Sequence, residues 1–302
     1  MATVNERIKK PQAFVINGVD AGGGMTAAIE TGYDNIIKSA PDGLQLPVKD
    51  KETAYCRGTI VTQDWVHFLD LLTGASGTYV FYERKDDGDE ATGYVQHTIV
   101  NPVIHNVSVS FTKGAYATIS LNFECKAADE TAGIADFWTQ LDAQAAPSYI
   151  SAARGGYRIE TCVHGADLDA IDIHHVTAFS FSLAMNLVKA CNDADVGYTC
   201  VSAELENMQA AGSLSFQSAV IDTNILIQNL LAADAADLVL TLTQAQGAAD
   251  KTITIANVDF NTAGGNSDAS ADFTSYTASF DIANDAAAPL TLEGENKIIT
   301  IV

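Results

Sequence analysis

Between His175 and Ile282 the chain alternates apolar and polar residues in a fixed order of segments, and that order occurs once more, earlier in the sequence. Phe179, Phe181, Leu183 and Met185 put one apolar face on a strand. An acidic loop at 202–206 follows, then the strand Gly212-Ser-Leu-Ser-Phe216 and a short apolar helix at 223–234. Strand-like runs at 238–243, 252–260 and 272–282 complete the series. Period two selects sheet over helix, because successive side chains of a strand point to opposite faces.

Residues 13–126 carry the same order of parts. Cys162-Val-His-Gly165 matches Val15-Ile-Asn-Gly18 at an offset of 147, and Gly212 matches Gly58 at 154. Thr252 matches Thr98 at 154, Phe280 matches Phe123 at 157, and Leu230-Leu231 matches Leu71-Leu72 at 159. Loop insertions in a duplicated fold produce such a drift. The expected fold is therefore mainly β, as two tandem units with one short flanking helix each, over 13–130 and 155–302. A charged arm at 1–12 precedes them. A helical connector at 131–154 joins them, with Ile134, Phe137, Trp138 and Leu141 on one face.

Within the first unit, strands are expected at 13–17, 25–31, 55–62 and 79–84, and 32–51 reads as a long polar loop with a Pro41-Asp-Gly43 turn. Long loops in compact domains tend to be functional, so Asp34, Asp42, Leu46, Lys49 and Lys51 are candidates for contacts between subunits or stacked rings. Asp64 caps a core helix in which Trp65, Phe68, Leu69 and Leu72 share a face; Ile227, Leu230 and Leu231 form its counterpart. The clearest hairpin pairs 103–111 with 116–125 around Lys113-Gly114. The phase of 252–260 switches from Ile253/Ile255 to Val258/Phe260, which predicts a bulge near Ala256-Asn257. Residues 290–302 add a closing edge strand.

Composition narrows the function. The net charge is −22, divided as −6 over residues 1–130 and −16 over 131–302. A chain this acidic lacks the basic patch that grips phosphates; the same charge suits a wall past which DNA slides, or simply a protein kept soluble by like charge. Five cysteines, with no CxxC pair, read as reduced thiols of a protein folded in a cytoplasm. No signal-peptide core and no membrane-length apolar run is present.

Chemical motifs are missing. There is no phosphate-binding GxxxxGK[ST], no GxSxG and no HExxH. Gly22-Gly-Gly24 and Gly264-Gly265 read as turns. His164, Asp167, Asp169, Asp172, His174 and His175 are metal-ligand types, but adjacent residues of a strand diverge and do not share one site. No catalytic residue, metal or cofactor is expected.

Residues 179–281 resemble the phage tail tube protein family. The resemblance lies in Phe179-Ser-Phe-Ser-Leu-Ala-Met-Asn-Leu187, the acidic Ser202-Ala-Glu-Leu-Glu206, the Gly-led strand at 212–216, the helix, the pair 238–243 and 252–260, and the last strand Ser275-Tyr-Thr-Ala-Ser-Phe280. It covers the second unit well and the first more loosely. It implies a structural, non-enzymatic protein of the virion tail, assembled in the bacterial host cytoplasm, whose sheets join in a ring and whose rings stack into a tube for DNA. Family rings contain six tube units, so three chains with two units each close a pseudo-hexamer. Implied partners are further copies, other tail proteins (tape measure, terminator, baseplate) and passing DNA that is not specifically bound, with no membrane. The polar faces Thr118, Ser120, Asn122, Glu124 and Ser275, Thr277, Ser279, Asp281 are candidate lumen linings. Alternatives are another ring-forming tail component (terminator, baseplate hub or tail tip), a secretion-system inner tube, and a carbohydrate-binding β-sandwich.

Overall fold

The computed structural model describes residues 8–16, 19–20, 26–38, 48–62, 78–85, 91–115, 117–126, 137–145, 157–165, 170–190, 202–218, 227–244, 251–266, 274–284, 290 and 297–302. The fold is mainly β and antiparallel, with one short helix among the described residues. The chain divides into two compact units. Unit 1 comprises Met1–Asn106, Ser120–Ala152 and Met185–Asn207; unit 2 comprises Val107–Ile119, Ala153–Ala184 and Met208–Val302.

The first half of the chain forms β1 (Ile8–Ile16), β2 (Val19–Asp20), β3 (Thr26–Lys38), β4 (Val48–Thr62), β5 (Thr78–Lys85), β6 (Tyr94–Val100), β7 (Pro102–Thr112), β8 (Thr118–Cys125) and β9 (Trp138–Gln144). Five of these strands pair in the order β2-β1-β5-β6-β9, and the others run β3-β4-β8-β7, with part of β7 and the start of β8 belonging to unit 2. Alternation decides which face is inside: Ile119, Leu121, Phe123 and Cys125 of β8 are buried while the residues between them are only half-covered. The ring edge of Tyr79 on β5 meets the Phe123 face, with centroids 5.5 Å apart, and so joins the two sets of strands.

The second half forms β10 (Tyr157–Gly165), β11 (Ala170–Ile173), β12 (Val176–Ala190), β13 (Ser202–Ser218), α1 (Ile227–Ala232), β14 (Ala236–Gln244), β15 (Lys251–Asn266), β16 (Thr274–Ile282) and β17 (Ile299–Ile301). These strands pair in the order β11-β10-β14-β15-β16-β13-β12, with β17 also on β15; the end of β12 and the start of β13 belong to unit 1. Phe179, Phe216, Phe260 and Phe280 form its aromatic core; Phe260 meets Phe280 edge-on at 5.5 Å, and Phe179 stacks on Phe280 at 6.3 Å.

One strand of unit 2 serves two ladders. Residues 251–258 of β15 pair with β14, and residues 258–266 pair with β16. The change falls at Asn257, whose φ of 51° lies in the left-handed region. The β14 ladder slips there, between Ala236↔Val258 and Leu238↔Ile255. Asparagine tolerates that conformation better than most residues. The Asp237 carboxylate accepts from Asn257 N at 3.2 Å, and Asn257 O accepts from Ala283 N at 2.9 Å. The bulge expected near Ala256-Asn257 is therefore present. In unit 1 the corner is Asn101, between β6 and β7, with φ 52° and its carbonyl accepting from Lys126 N at 3.1 Å.

The ladders read alike in the two halves of the chain. β1·β2, β1·β5, β5·β6 and β6·β9 correspond to β10·β11, β10·β14, β14·β15 and β15·β17. β3·β4, β4·β8 and β8·β7 correspond to β12·β13, β13·β16 and β16·β15. A glycine sits at the same place in each. A Cβ on Gly58 of β4 meets the Phe123 ring at 2.9 Å and the Ala28 carbonyl; one on Gly212 of β13 meets the Phe280 ring and the Ser180 carbonyl.

Several expectations change. The helix expected over residues 133–149 is, where described, the strand β9, paired to β6 from Ile99↔Trp138 to Tyr94↔Gln144. Its helix-like apolar spacing misleads because Leu141 is exposed, at 51%, whereas Trp138 is drawn to the open edge of β6 by backbone pairing. The polar loop expected at 32–51 is instead a continued hairpin: β3 and β4 stay paired out to Lys38↔Val48. Asp34 falls at the ladder irregularity between Tyr33 and Asn35, and Lys49 and Lys51 lie in β4; Asp42 and Leu46 lie outside the described residues. The acidic loop at 202–206 belongs to β13, and β1 begins at Ile8, inside the expected arm. Of the expected helix at 223–234, α1 covers Ile227–Ala232 and lies on β15; it buries Leu230 and leaves Leu231 39% exposed, because so short a helix turns only one side inward. Trp65, Phe68, Leu69 and Leu72 lie outside the described residues.

Gly58→Ala and Gly212→Ala each press a methyl group against a backbone carbonyl as well as a ring, so the strain is not relieved by a rotamer change. Chemical denaturation is expected to show a loss of about 1–3 kcal/mol for each; a loss below roughly 0.5 kcal/mol would place that glycine outside a tight crossing.

Candidate functional site

The polar faces of β8 and β16 are the most organised surface among the described residues. On β8, Thr118, Ser120, Asn122 and Glu124 alternate with buried residues and are half-buried. On β16, Ser275, Thr277 and Asp281 are exposed and Ser279 is half-buried, while Ala278 and Phe280 point to the core. Short side chains tie neighbouring strands together across these faces. Thr59 Oγ1 donates to Asn122 Oδ1 at 2.8 Å, and the Ser110 and Thr118 hydroxyls are 2.8 Å apart. In unit 2, Ser180 and Ser213 are 2.8 Å apart, Ser215 and Thr277 3.1 Å, and Asn261 Nδ2 donates to Asp281 Oδ2 at 2.6 Å. Part of the hydrogen-bonding capacity of these faces is thus spent within the sheet.

In unit 1 that face holds a groove of about 380 Å³, floored by Gly58 and walled by Glu30, Arg57, His105 and Asn122. Glu30 accepts from the Tyr55 hydroxyl at 2.9 Å and pairs with Arg57 at 3.2 Å, while the guanidinium lies 4.7 Å from the centre of the Tyr55 ring. The Tyr55 hydroxyl, then Arg57, hold the Glu30 carboxyl below its ordinary range. Both ion-pair members are more than half exposed, so the pair contributes little to stability.

A second polar cluster escaped sequence reasoning. His97 on β6 is buried, and its ring stacks on Phe81 at 4.3 Å. Trp138 Nε1 donates to His97 Nδ1 at 3.2 Å, so Nε2 carries the proton and donates to Glu83 Oε2 at 3.1 Å. Gln140 Nε2 lies 3.2 Å from the same Nδ1. Period-two alternation puts Glu83, His97 and Trp138 on neighbouring strands, but only the β6·β9 pairing brings them together. With both ring nitrogens engaged, His97 acts as a tie between β5, β6 and β9 rather than as an acid or base. His164 is also buried, its Nε2 donating to Val258 O at 3.0 Å, which ties β10 to the strand-switching corner.

No group of His, Cys, Asp or Glu among the described residues is arranged to hold an ion. His174 and His175 are exposed, whereas His164 is buried in the core. Cys56, Cys125 and Cys162 are buried and form no disulfide, and burial pushes the Cys162 thiol well above its ordinary pKa, away from nucleophilic use. No helix among the described residues is long and apolar enough to cross a membrane. No known family model matches the chain, and no curated protein is significantly similar to it.

For Glu30 the sign is fixed by its depressed pKa: its contribution is present above the unfolded carboxylate value of roughly 4.3 and fades as pH falls through the lower folded value. Carbon-detected NMR titration is expected to place the Glu30 midpoint below that of a free glutamate, and Arg57→Ala to raise it only partway, because the tyrosine hydroxyl remains. A wild-type midpoint at the ordinary value would remove the Tyr55–Glu30–Arg57 contact from the solution structure.

Proposed function

We propose that the chain is a structural protein, the duplicated tail tube subunit of a tailed bacteriophage, which assembles into rings that stack around a channel for DNA. The observation that carries this reading is the similar order of strand pairing in the two halves of the chain, with corners at Asn101 and Asn257 and a glycine-under-phenylalanine crossing at Gly58 and Gly212. A unit repeated in tandem within one chain is suited to a symmetric assembly that needs many equivalent units.

Two further features support it. The faces bearing Thr118, Ser120, Asn122, Glu124 and Ser275, Thr277, Ser279, Asp281 are hydroxyl-rich with single acids, and the net charge of −22 repels a polyanion. Such faces, turned to a lumen, let DNA pass without gripping it. The lengthened hairpins β3–β4 and β12–β13 are the reach such a protein needs toward its neighbours. In this reading the tape measure, terminator and baseplate proteins meet the ends of the tube.

Negative-stain electron microscopy over a range of protein concentrations is the test. Hollow tubes of stacked rings are expected. Single rings that never stack would move the protein to a terminator, hub or tip role, and a monomer at every concentration would overturn the assembling role altogether.

A further inference from the structure

We infer that copies of this chain join head to tail through two specific strand edges: the outer edge of β3 in one copy and the outer edge of residues 259–266 of β15 in the next, paired antiparallel. The inference rests on the assembling role proposed above and adds which backbone surfaces carry it and in what register.

The argument starts from an asymmetry in the pairing. Among the described residues, β7 has neighbours on both edges, β8 and β12. Its counterpart in the second half of the chain, the stretch Asp259–Asn266 of β15, has one neighbour, β16. β12 likewise lies between β7 and β13, whereas its counterpart β3 has, among the described residues, only β4 as a neighbour. So each partner of the β7·β12 ladder has a twin whose matching edge has no described neighbour. A second copy of the chain supplies the complement to each.

These edges also lack the usual protection. Exposed strands are commonly blunted by lysine or proline, yet residues 26–33 and 259–266 contain neither. Over residues 28–35 and 259–266 the charges are Asp34, Asp259 and Glu30, the last already paired with Arg57. Edge pairing of this kind draws its affinity from backbone hydrogen bonds.

The existing ladder fixes the register. Within unit 2, Lys113 N donates to Thr177 O at 2.7 Å, joining the end of β7 to the start of β12, so these sheet neighbours run antiparallel. Asn101 and Asn257 set the shift from β7 to β15 at 156. The carbonyls of Ala28 and Ser180, each beside its glycine, set the shift from β12 to β3 at 152. Carrying the Lys113–Thr177 contact through both shifts brings Ala263 of one copy opposite Thr31 of the next, within about a residue.

Two measurements test this on the full-length protein. In Thr31→Cys/Ala263→Cys, mild oxidation of the assembled protein is expected to give a ladder of chains linked between positions 31 and 263, identified by peptide mass spectrometry, with no such peptide from either single variant. In the unaltered protein, amide hydrogen exchange is expected to slow at least tenfold over 26–33 and 259–266 on assembly. Rings or tubes that form with neither the link nor the protection would overturn the edge assignment while leaving the assembling role intact. Protection at these edges only on adding another protein would also overturn it, since the occupant would then not be a second copy. A chain monomeric under all conditions would remove both.

Discussion

A strand carries unsatisfied amides and carbonyls along both edges, and most of this architecture follows from where those groups find partners. The residues between Lys251 and Asn266 show it most clearly. Their first half is held by β14 and, in part, β17, their second by β16, and Asn257 makes the turn that lets one strand serve both ladders. Asn101 does the same work between β6 and β7. Around these corners the aromatic core has room only because Gly58 and Gly212 carry no side chain beneath Phe123 and Phe280.

Edge pairing also explains what the sequence concealed. Alternation made β8, β12 and β16 legible, since Ile119, Leu121 and Phe123, like Phe179, Phe181 and Leu183, lie on the buried face expected of them. The phase switch after Ile255 located the bulge for the same reason: a face that must stay buried cannot slip by one residue. Segments whose conformation is set by a distant partner were misread. Trp138 and Leu141 are spaced as on a helix, yet the open edge of β6 recruits them as a strand. Asn35–Lys38 and Ser202–Glu206 look polar enough to be loops, yet each extends a hairpin whose backbone is already in register. The Glu83–His97–Trp138 tie was invisible for the same reason, because its members meet only once β5, β6 and β9 are laid side by side.

The surface chemistry fits a passive role. The hydroxyl pairs Ser110–Thr118, Ser180–Ser213 and Ser215–Thr277 are bonded across strands; buried His97 is held through both ring nitrogens and His164 through Nε2 alone. The three described cysteines lie in the core. The assembling role proposed above rests instead on charge and on the edges of the sheets.

Counting chains tests the account most directly. If the strand-pairing program is a true duplicate, each chain fills two places in a ring, and a six-place ring closes with three chains. Native mass spectrometry of isolated rings is predicted to give three times the chain mass of 31.9 kDa. A ring of six chains would mean that each chain occupies a single place, and would contradict the duplication on which the proposed function stands.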